Sequence, residues 1–290
     1  MTPSPDSRPR QPVVPALERD PFPARRGARR LTIAAQSDRG RQRSTNEDAL
    51  LVAHLGSRDV SLAGCGRAWD AAPGECVLGV CDGMGGEAGG EVASRLAAVV
   101  VERVLSELSP SDADSAERAL TLAVLEASRV VREVAREPTL ARMGTTATIA
   151  CVAGREVAVA QVGDSRAYLF RDGLLTRLTR DQSLAALMVE QGQVDEEEAE
   201  DMPGSHVILQ AVGSSEALRV IVTRAELKDG DLLLLCSDGL TGPVRDRDIA
   251  DVLARSRGAV DAACAALVEL ANARGGPDNV TCVIARVGPQ

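Results

Sequence analysis

The sequence predicts an α+β fold in which antiparallel sheets pack face to face with helices outside. Three observations carry this. Short runs rich in β-branched residues arrive in groups. Longer segments with helical spacing arrive in pairs. Turn signals separate neighbouring strands, which favours hairpins. With 290 residues, 44% of them hydrophobic, the chain can bury one large core. Aromatics are only 1%, so Leu, Val, Ala and Ile must build it.

The elements follow in order. Residues 1–30 carry seven arginines against Asp6, Glu18 and Asp20, with many prolines and few apolar side chains. Such a segment cannot offset its chain entropy by burial, which predicts a disordered tail. It has no continuous apolar stretch of the signal-peptide kind, and no run approaches the roughly 20 apolar residues of a membrane span. A cytoplasmic protein without membrane partners is expected. A single domain is predicted over residues 31–288, opening with strands at "LTIAAQSD", "ALLVAHL" and "CVLGVCD". Between the second and third, residues 56–75 read as a loop insertion. Helical spacing predicts helices over 88–108 and 113–136, the second stopped by Pro138. "TTATIACVAG", "EVAVAQVGD" and "RAYLFRDG" read as strands, with hairpin ends at "GREV" and "RDGL". Residues 181–213 are polar and mixed, and their acidic stretch "VDEEEAEDM" reads as a solvated helix face. Strands at "LRVIVTRAEL" and "DLLLLCSD", helices over 246–255 and 260–273, and a last strand "NVTCVIARV" complete the domain.

Net charge is −9. The first 30 residues hold a surplus of four positive charges, which leaves the body at −13 and argues against nucleic-acid binding. Of seven cysteines, Cys81, Cys151, Cys236 and Cys282 fall in apolar runs and read as buried thiols. Cys65 and Cys76 lie in a loop-like stretch where they could meet. With only His54 and His206, no Cys/His zinc site is expected.

The functional signal lies in acids at strand ends. Asp82 follows "VLGVC", Asp164 follows "VAVAQVG", and Asp238 follows "LLLLCS"; Asp48 and Asp278 each precede a strand. One Asp-Gly is ordinary turn chemistry. If these strand ends converge, five acids would share one edge of a sandwich, repel one another, and be resolved by cations. Oxygen ligands without His or Cys select hard ions such as magnesium or manganese. Asp82 could bridge two ions, Gly83 could offer its carbonyl, and the glycines after it would let the backbone approach. Such a pair polarises a phosphoryl oxygen and activates a shared water. Arg43, five residues before Asp48, suits a substrate phosphate.

"RSTNEDA", "VCDGMGG", "MGTTATIA", "VGDSRAYL", "LCSDGLT" and "GGPDNVT" stand in the order found in metal-dependent protein phosphatases of the PPM family, type 2C, and the chain resembles its bacterial serine/threonine members. The resemblance implies a four-layer α-β-β-α sandwich. It implies two manganese or magnesium ions, with a third, weaker ion in bacterial members, and direct attack of an activated water on phosphoserine or phosphothreonine. Asp82 matches the bridging ligand and Gly83 the carbonyl ligand. Asp238 and Asp278 match ligands of the first metal, Glu47 and Asp48 the acidic pair near the second, and Asp164 a ligand of the third. Arg43 matches the phosphate-binding arginine, and Asn279 is expected to order the Asp278 loop. Residues 181–213 match a mobile flap, with Gln210 where related sequences often carry Arg. Met84 stands where other members have a His general acid, and it cannot donate a proton. The implied partners are phosphorylated Ser/Thr proteins and a cognate Ser/Thr kinase. Two alternatives stay open: a catalytically silent regulator of the same fold, and a hydrolase of small phosphate esters.

Overall fold

The computed structural model describes residues 29–289 apart from 63, 72–73, 86–88, 196–197, 200–201, 203, 205–206 and 216. The expected tail falls outside these residues, except at its end. Strand β1 (Arg29–Asp38) begins two residues before the predicted start, because Arg29 is itself buried and reaches Asp229 at 2.8 Å.

β2 (Asp48–His54), β3 (Asp59–Ser61), β4 (Cys65–Ala71) and β5 (Cys76–Met84) precede a helical pair, α1 (Gly89–Leu108) and α2 (Ala113–Val134). Asp112 caps α2 by accepting from the Ser115 amide at 2.7 Å. β6 (Gly144–Thr145), β7 (Ala147–Ala153), β8 (Glu156–Val162), β9 (Arg166–Arg171) and β10 (Leu174–Arg177) follow. The β9–β10 hairpin turns on Asp172 and Gly173, with φ of 51° and 85°, the paired positive φ of a type I′ turn. α3 (Leu184–Glu190) lies in the expected flap segment, and β11 (Ile221–Glu226) and β12 (Leu232–Cys236) follow it. α4 (Asp238–Thr241), α5 (Asp246–Ser256), α6 (Val260–Ala273) and β13 (Val280–Val287) complete the chain. The acidic stretch 194–202 lies partly outside the described residues; within them the Ala199 amide donates to the Asp195 carbonyl, one helical turn.

One sheet runs β10-β9-β12-β13-β1-β4, the other β11-β8-β7-β5-β2-β3, with β6 added beside β5 and every pairing antiparallel. Alternation along each strand assigns the layers. Leu78 and Val80 of β5 meet Val283 and Ala285 of β13 in the core between the sheets. Val77 and Cys81 face α1 and α2 on one side, and Cys282 and Ile284 face α5 and α6 on the other. The result is the four-layer α-β-β-α sandwich.

The segment 56–75 departs from its prediction as a loop. β3 extends one sheet beside β2, and β4 extends the other beside β1. The inserted chain thus adds an edge strand to each sheet and spans the side of the sandwich between them. Cys76 is a free, fully buried thiol at the start of β5, so no bridge joins it to Cys65. Cys81, Cys151, Cys236 and Cys282 are free and buried as expected, and burial pushes the Cys81 thiol up to about 12. Among the described residues, no helix is long and apolar enough to cross a membrane.

Candidate metal centre

Antiparallel pairing gathers the acids. Asp48 at the start of β2 lies opposite Asp82 near the end of β5, although 34 residues separate them in sequence. Asp164 follows β8, Asp238 opens α4 just beyond β12, and Asp278 precedes β13. All five sit at one edge of the sandwich.

Backbone hydrogen bonds fix Asp82 and leave its carboxyl aimed at this edge. Its amide donates to Thr146 Oγ1 at 2.9 Å, and its carbonyl accepts from Thr145 Oγ1 at 2.9 Å and from the Thr146 amide at 2.8 Å. Glycine is required next to it by close approach. A Cβ on Gly83 would overlap the carbonyl oxygens of Gly90 and Glu47, and one on Gly90 would overlap the Glu47 carboxylate. The glycines after Asp82 let the start of α1 seat directly against the strand end that holds Glu47.

Burial raises the carboxyl pKa of Asp82 well above the usual carboxylate range, and Asp48, Asp238 and Asp164 push it further. Asp48 is pushed up to about 7, first by burial; hydrogen bonds from Thr281 and Ser237 pull the other way, and Asp238 and Asp278 add repulsion. Asp164 is also pushed up to about 7, by burial and then by Asp238 and Asp181. Asp48 Oδ2 accepts from Ser237 Oγ at 2.8 Å. Asp48 Oδ1 and Asp164 Oδ1 are buried with no hydrogen-bond partner among the described residues. An orphaned buried carboxylate oxygen costs free energy unless something positive or protic reaches it. These residues therefore fit hard cations in donor type, charge and unmet coordination. No three acidic, imidazole or thiol side chains among the described residues already form a finished cage. Asp278 is turned toward Arg43, whose Nη2 lies 2.6 Å from its Oδ2.

Arg43 is thus brought to the acidic edge, half-exposed and held by Asp278. Asn279 is buried; its backbone amide donates to Asp278 Oδ1 at 2.8 Å, as expected of a residue that orders that loop, and its side chain orders a second one. Its Oδ1 accepts from the Glu47 amide at 2.8 Å, and its Nδ2 donates to the carbonyls of Arg39 at 2.9 Å and Thr45 at 2.8 Å. One amide side chain therefore holds the loop that carries Arg43 and Glu47. Met84 faces Gly144 across the β5–β6 pair and offers no proton. Gln210 accepts from the Arg219 amide at 3.1 Å, at the base of the flap.

Sequence reasoning missed several residues. Ser237 joins Asp48 to the Thr281 amide, to which its Oγ lies at 3.0 Å. Thr146 holds Asp82. Arg166 anchors Asp181, the first flap residue, at 2.8 Å, while Arg177 grips the same carboxylate. "LCSD" and "MGTT" contain these hydroxyls, but a Ser or Thr beside a strand has many ordinary uses. Nothing local marks them.

A sandwich whose acids meet at one edge, with buried carboxylate oxygens left unsatisfied there, defines a class: proteins built to hold hard divalent cations between strand ends. Comparison with known proteins adds the family. The model of the family described as protein phosphatase 2C matches residues 62–275, and the chain belongs to that family. It is 39% identical over 263 residues to the serine/threonine protein phosphatase PstP of Mycobacterium tuberculosis, covering 89% of this chain and 45% of that protein's length. It is 31% identical over 251 residues to the serine/threonine phosphatase stp of Listeria welshimeri, covering 86% of this chain and 93% of that protein. Among solved structures, the serine/threonine phosphatase of S. agalactiae superposes with a TM-score of 0.78 at 28% identity, over 88% of this chain and 99% of that one. The catalytic domain of PstP in complex with two manganese ions superposes with a TM-score of 0.72 at 35% identity, over 90% of this chain and 100% of that one.

Proposed function

We propose that this chain is a metal-dependent protein serine/threonine phosphatase, acting in the cytoplasm on phosphoserine and phosphothreonine in proteins that a Ser/Thr kinase has modified. The observation that carries it is the set of buried carboxylates at one edge, with Asp48 Oδ1 and Asp164 Oδ1 left unsatisfied. The two manganese ions in the PstP catalytic domain support the same reading.

In this reading Asp82, the Gly83 carbonyl, Asp238 and Asp278 would hold one manganese or magnesium ion. Asp82 also contributes to a second, with Glu47 and Asp48 beside it, and Asp164 with Asp238 serves a third, weaker one. When bound, the ions would supply charge to polarise a phosphoryl oxygen and would lower the pKa of a bound water. The chain's own residues do the rest. Arg43 swings from Asp278 to a phosphate oxygen, offering a guanidinium fork to a dianion. Thr145 and Thr146 keep the Asp82 backbone from shifting, and Asn279 keeps Arg43 and Glu47 in reach. Met84, two residues beyond Asp82 on β5, cannot donate a proton to the leaving alkoxide.

Hydrolysis of a phosphothreonine peptide tests this, run with manganese, with chelator, and with Asp238→Asn in manganese. Turnover is expected only in the first, with the substitution costing on the order of 10³-fold in kcat, about 4 kcal/mol of barrier. A folded, manganese-binding protein that turns over no phosphopeptide would overturn the proposal in favour of a silent scaffold. Turnover of small phosphate esters alone would restrict it to those substrates.

A further inference from the structure

Two of the acids at the metal edge end longer rows of side chains. Along β2 the residues facing the opposite sheet are Val52, Leu50 and then, by the same alternation, Asp48. Along β5 they are Cys76, Leu78, Val80 and then Asp82. The other sheet ends its rows differently. β1 runs Leu31, Ile33, Ala35 and then Ser37, and β13, read backwards, runs Val287, Ala285, Val283 and then Thr281. Where the apolar core between the sheets stops, one sheet offers carboxylates and the other hydroxyls.

Ser37 and Thr281 are direct cross-strand partners, and their hydroxyl oxygens lie 2.7 Å apart. Thr281 is fully buried and hydrogen-bonds the Asp48 carboxyl. On the other side of Ser37, Asn46 Nδ2 donates to Ser37 Oγ at 2.9 Å, while Asn46 Oδ1 accepts from the Asp48 amide at 3.2 Å. The bonds form a ring that leaves Asp48 by its amide and returns to it through Asn46, Ser37 and Thr281.

Elementary chemistry gives this ring a direction. A side-chain amide nitrogen only donates, and an ionised carboxylate only accepts. Asn46 therefore donates into Ser37, and Thr281 donates into Asp48. The hydrogen between the two hydroxyls must then be that of Ser37. Bonds aligned in this way polarise and strengthen one another. From a second side, Ser237 Oγ donates to Asp48 Oδ2 at 2.8 Å. What remains is Asp48 Oδ1, buried and without a hydrogen-bond partner among the described residues.

We propose that Thr281, backed by Ser37, is a positioning residue that holds the Asp48 carboxylate with Oδ1 presented to a divalent cation. The proposal deepens the phosphatase reading at its metal edge and rests on Asp48 serving an ion there. Thr281 acts through Asp48 rather than on the ion. Removing a group that orients a metal ligand typically costs roughly 10–100-fold in metal affinity. Without the Thr281 hydroxyl, Ser237 is the one hydroxyl donor left to the carboxylate, which can then turn about that bond.

The test is a calorimetric titration of manganese into the full chain after chelator treatment. Thr281→Val keeps the β-branched shape and removes the hydroxyl. It is expected to weaken manganese binding about tenfold. Thr281→Ser restores the hydroxyl and should recover most of that loss. Ser37→Ala, one step further from the acid, should show a smaller loss of the same kind. The deciding comparison repeats the titrations in an Asp48→Ala background, where Thr281→Val should cost nothing further. Unchanged affinity in Thr281→Val, or an equal loss with and without Asp48, would overturn the proposal. A loss that Thr281→Ser does not recover would do the same, because it would mark packing rather than the hydroxyl. Should Thr281→Val melt below the working temperature, Ser37→Ala carries the same comparison, and equal affinities with and without the Ser37 hydroxyl would count against the ring. An unmodified protein that binds no manganese would overturn the proposal together with the metal centre. Absence of phosphopeptide turnover would count against the phosphatase reading alone, since the titration uses no substrate.

Discussion

Buried aspartates lie beyond both ends of strand β12, and the two ends treat their acids differently. Before it stands Asp231, 2% exposed. Its oxygens accept from Arg171 Nε at 2.8 Å and Nη2 at 2.6 Å, and from the Lys228 amide at 2.7 Å. At the far end, around Asp238, the neighbouring acids Asp48 and Asp164 are 8% and 6% exposed, and each keeps one carboxylate oxygen without a partner. Similar burial thus has two meanings. A buried acid with a bidentate arginine holds structure together. Buried acids that repel one another and keep oxygens without donors mark a place where a cation belongs.

The comparison breaks most sharply at Asp231. Asp231→Asn is expected to cost about 2–3 kcal/mol of stability in urea denaturation, below the roughly 3–5 kcal/mol of breaking a fully buried pair because Arg171 is partly exposed. The phosphatase kcat should stay within twofold. An unchanged midpoint would show that this pair is no more structural than the acids at the other end. Manganese should act only at the far end. At one hundred times its Kd it is expected to stabilise by about 2.7 kcal/mol. Calorimetry on the Asp82→Asn variant should show most of that gain lost.

A smaller effect is expected from pH. Burial raises Asp48 and Asp164 to about 7 in the metal-free fold, against roughly 4 in an unfolded chain. Between those values the native state holds protons that the unfolded state has released, so stability falls as pH rises through the window. The metal-free protein should therefore melt higher at pH 5 than at pH 7.5. In manganese the order should reverse, since protons compete with the ions for the same oxygens. A metal-free melting temperature that rises with pH would count against unpaired acids at this edge. The smallest change expected is from Asp164→Asn. It should raise metal-free stability slightly by removing a buried unpaired charge, whereas Asp231→Asn lowers it.

Much of the candidate site is legible in the chain. Asp48, Asp82, Asp164, Asp238 and Asp278 stand out because each flanks an apolar run, and strand ends in a face-to-face sandwich have few places to go. The helices α1, α2, α5 and α6 follow from spacing alone, and their boundaries move by no more than two residues. Residues 56–75 were illegible for the opposite reason. Short strands such as β3 carry no periodicity of their own and exist only because β2 offers an open edge. Ser237, Thr146 and Asn279 were obscure in their roles because their partners lie elsewhere. Asn279 meets Glu47 across 232 positions, and Ser237 meets Asp48 across 189.

By itself, the sequence determined the layers, the alternation that builds the core from small aliphatic side chains, and the placement of acids where strands stop. Local periodicity and turn chemistry are enough for that, because they act within a few residues. Only the tertiary structure decided which acids are satisfied and which are not, and that glycine at 83 and 90 lets a helix start press against a strand end. Those outcomes depend on which distant groups arrive at the same place, and antiparallel pairing across hundreds of positions settles that.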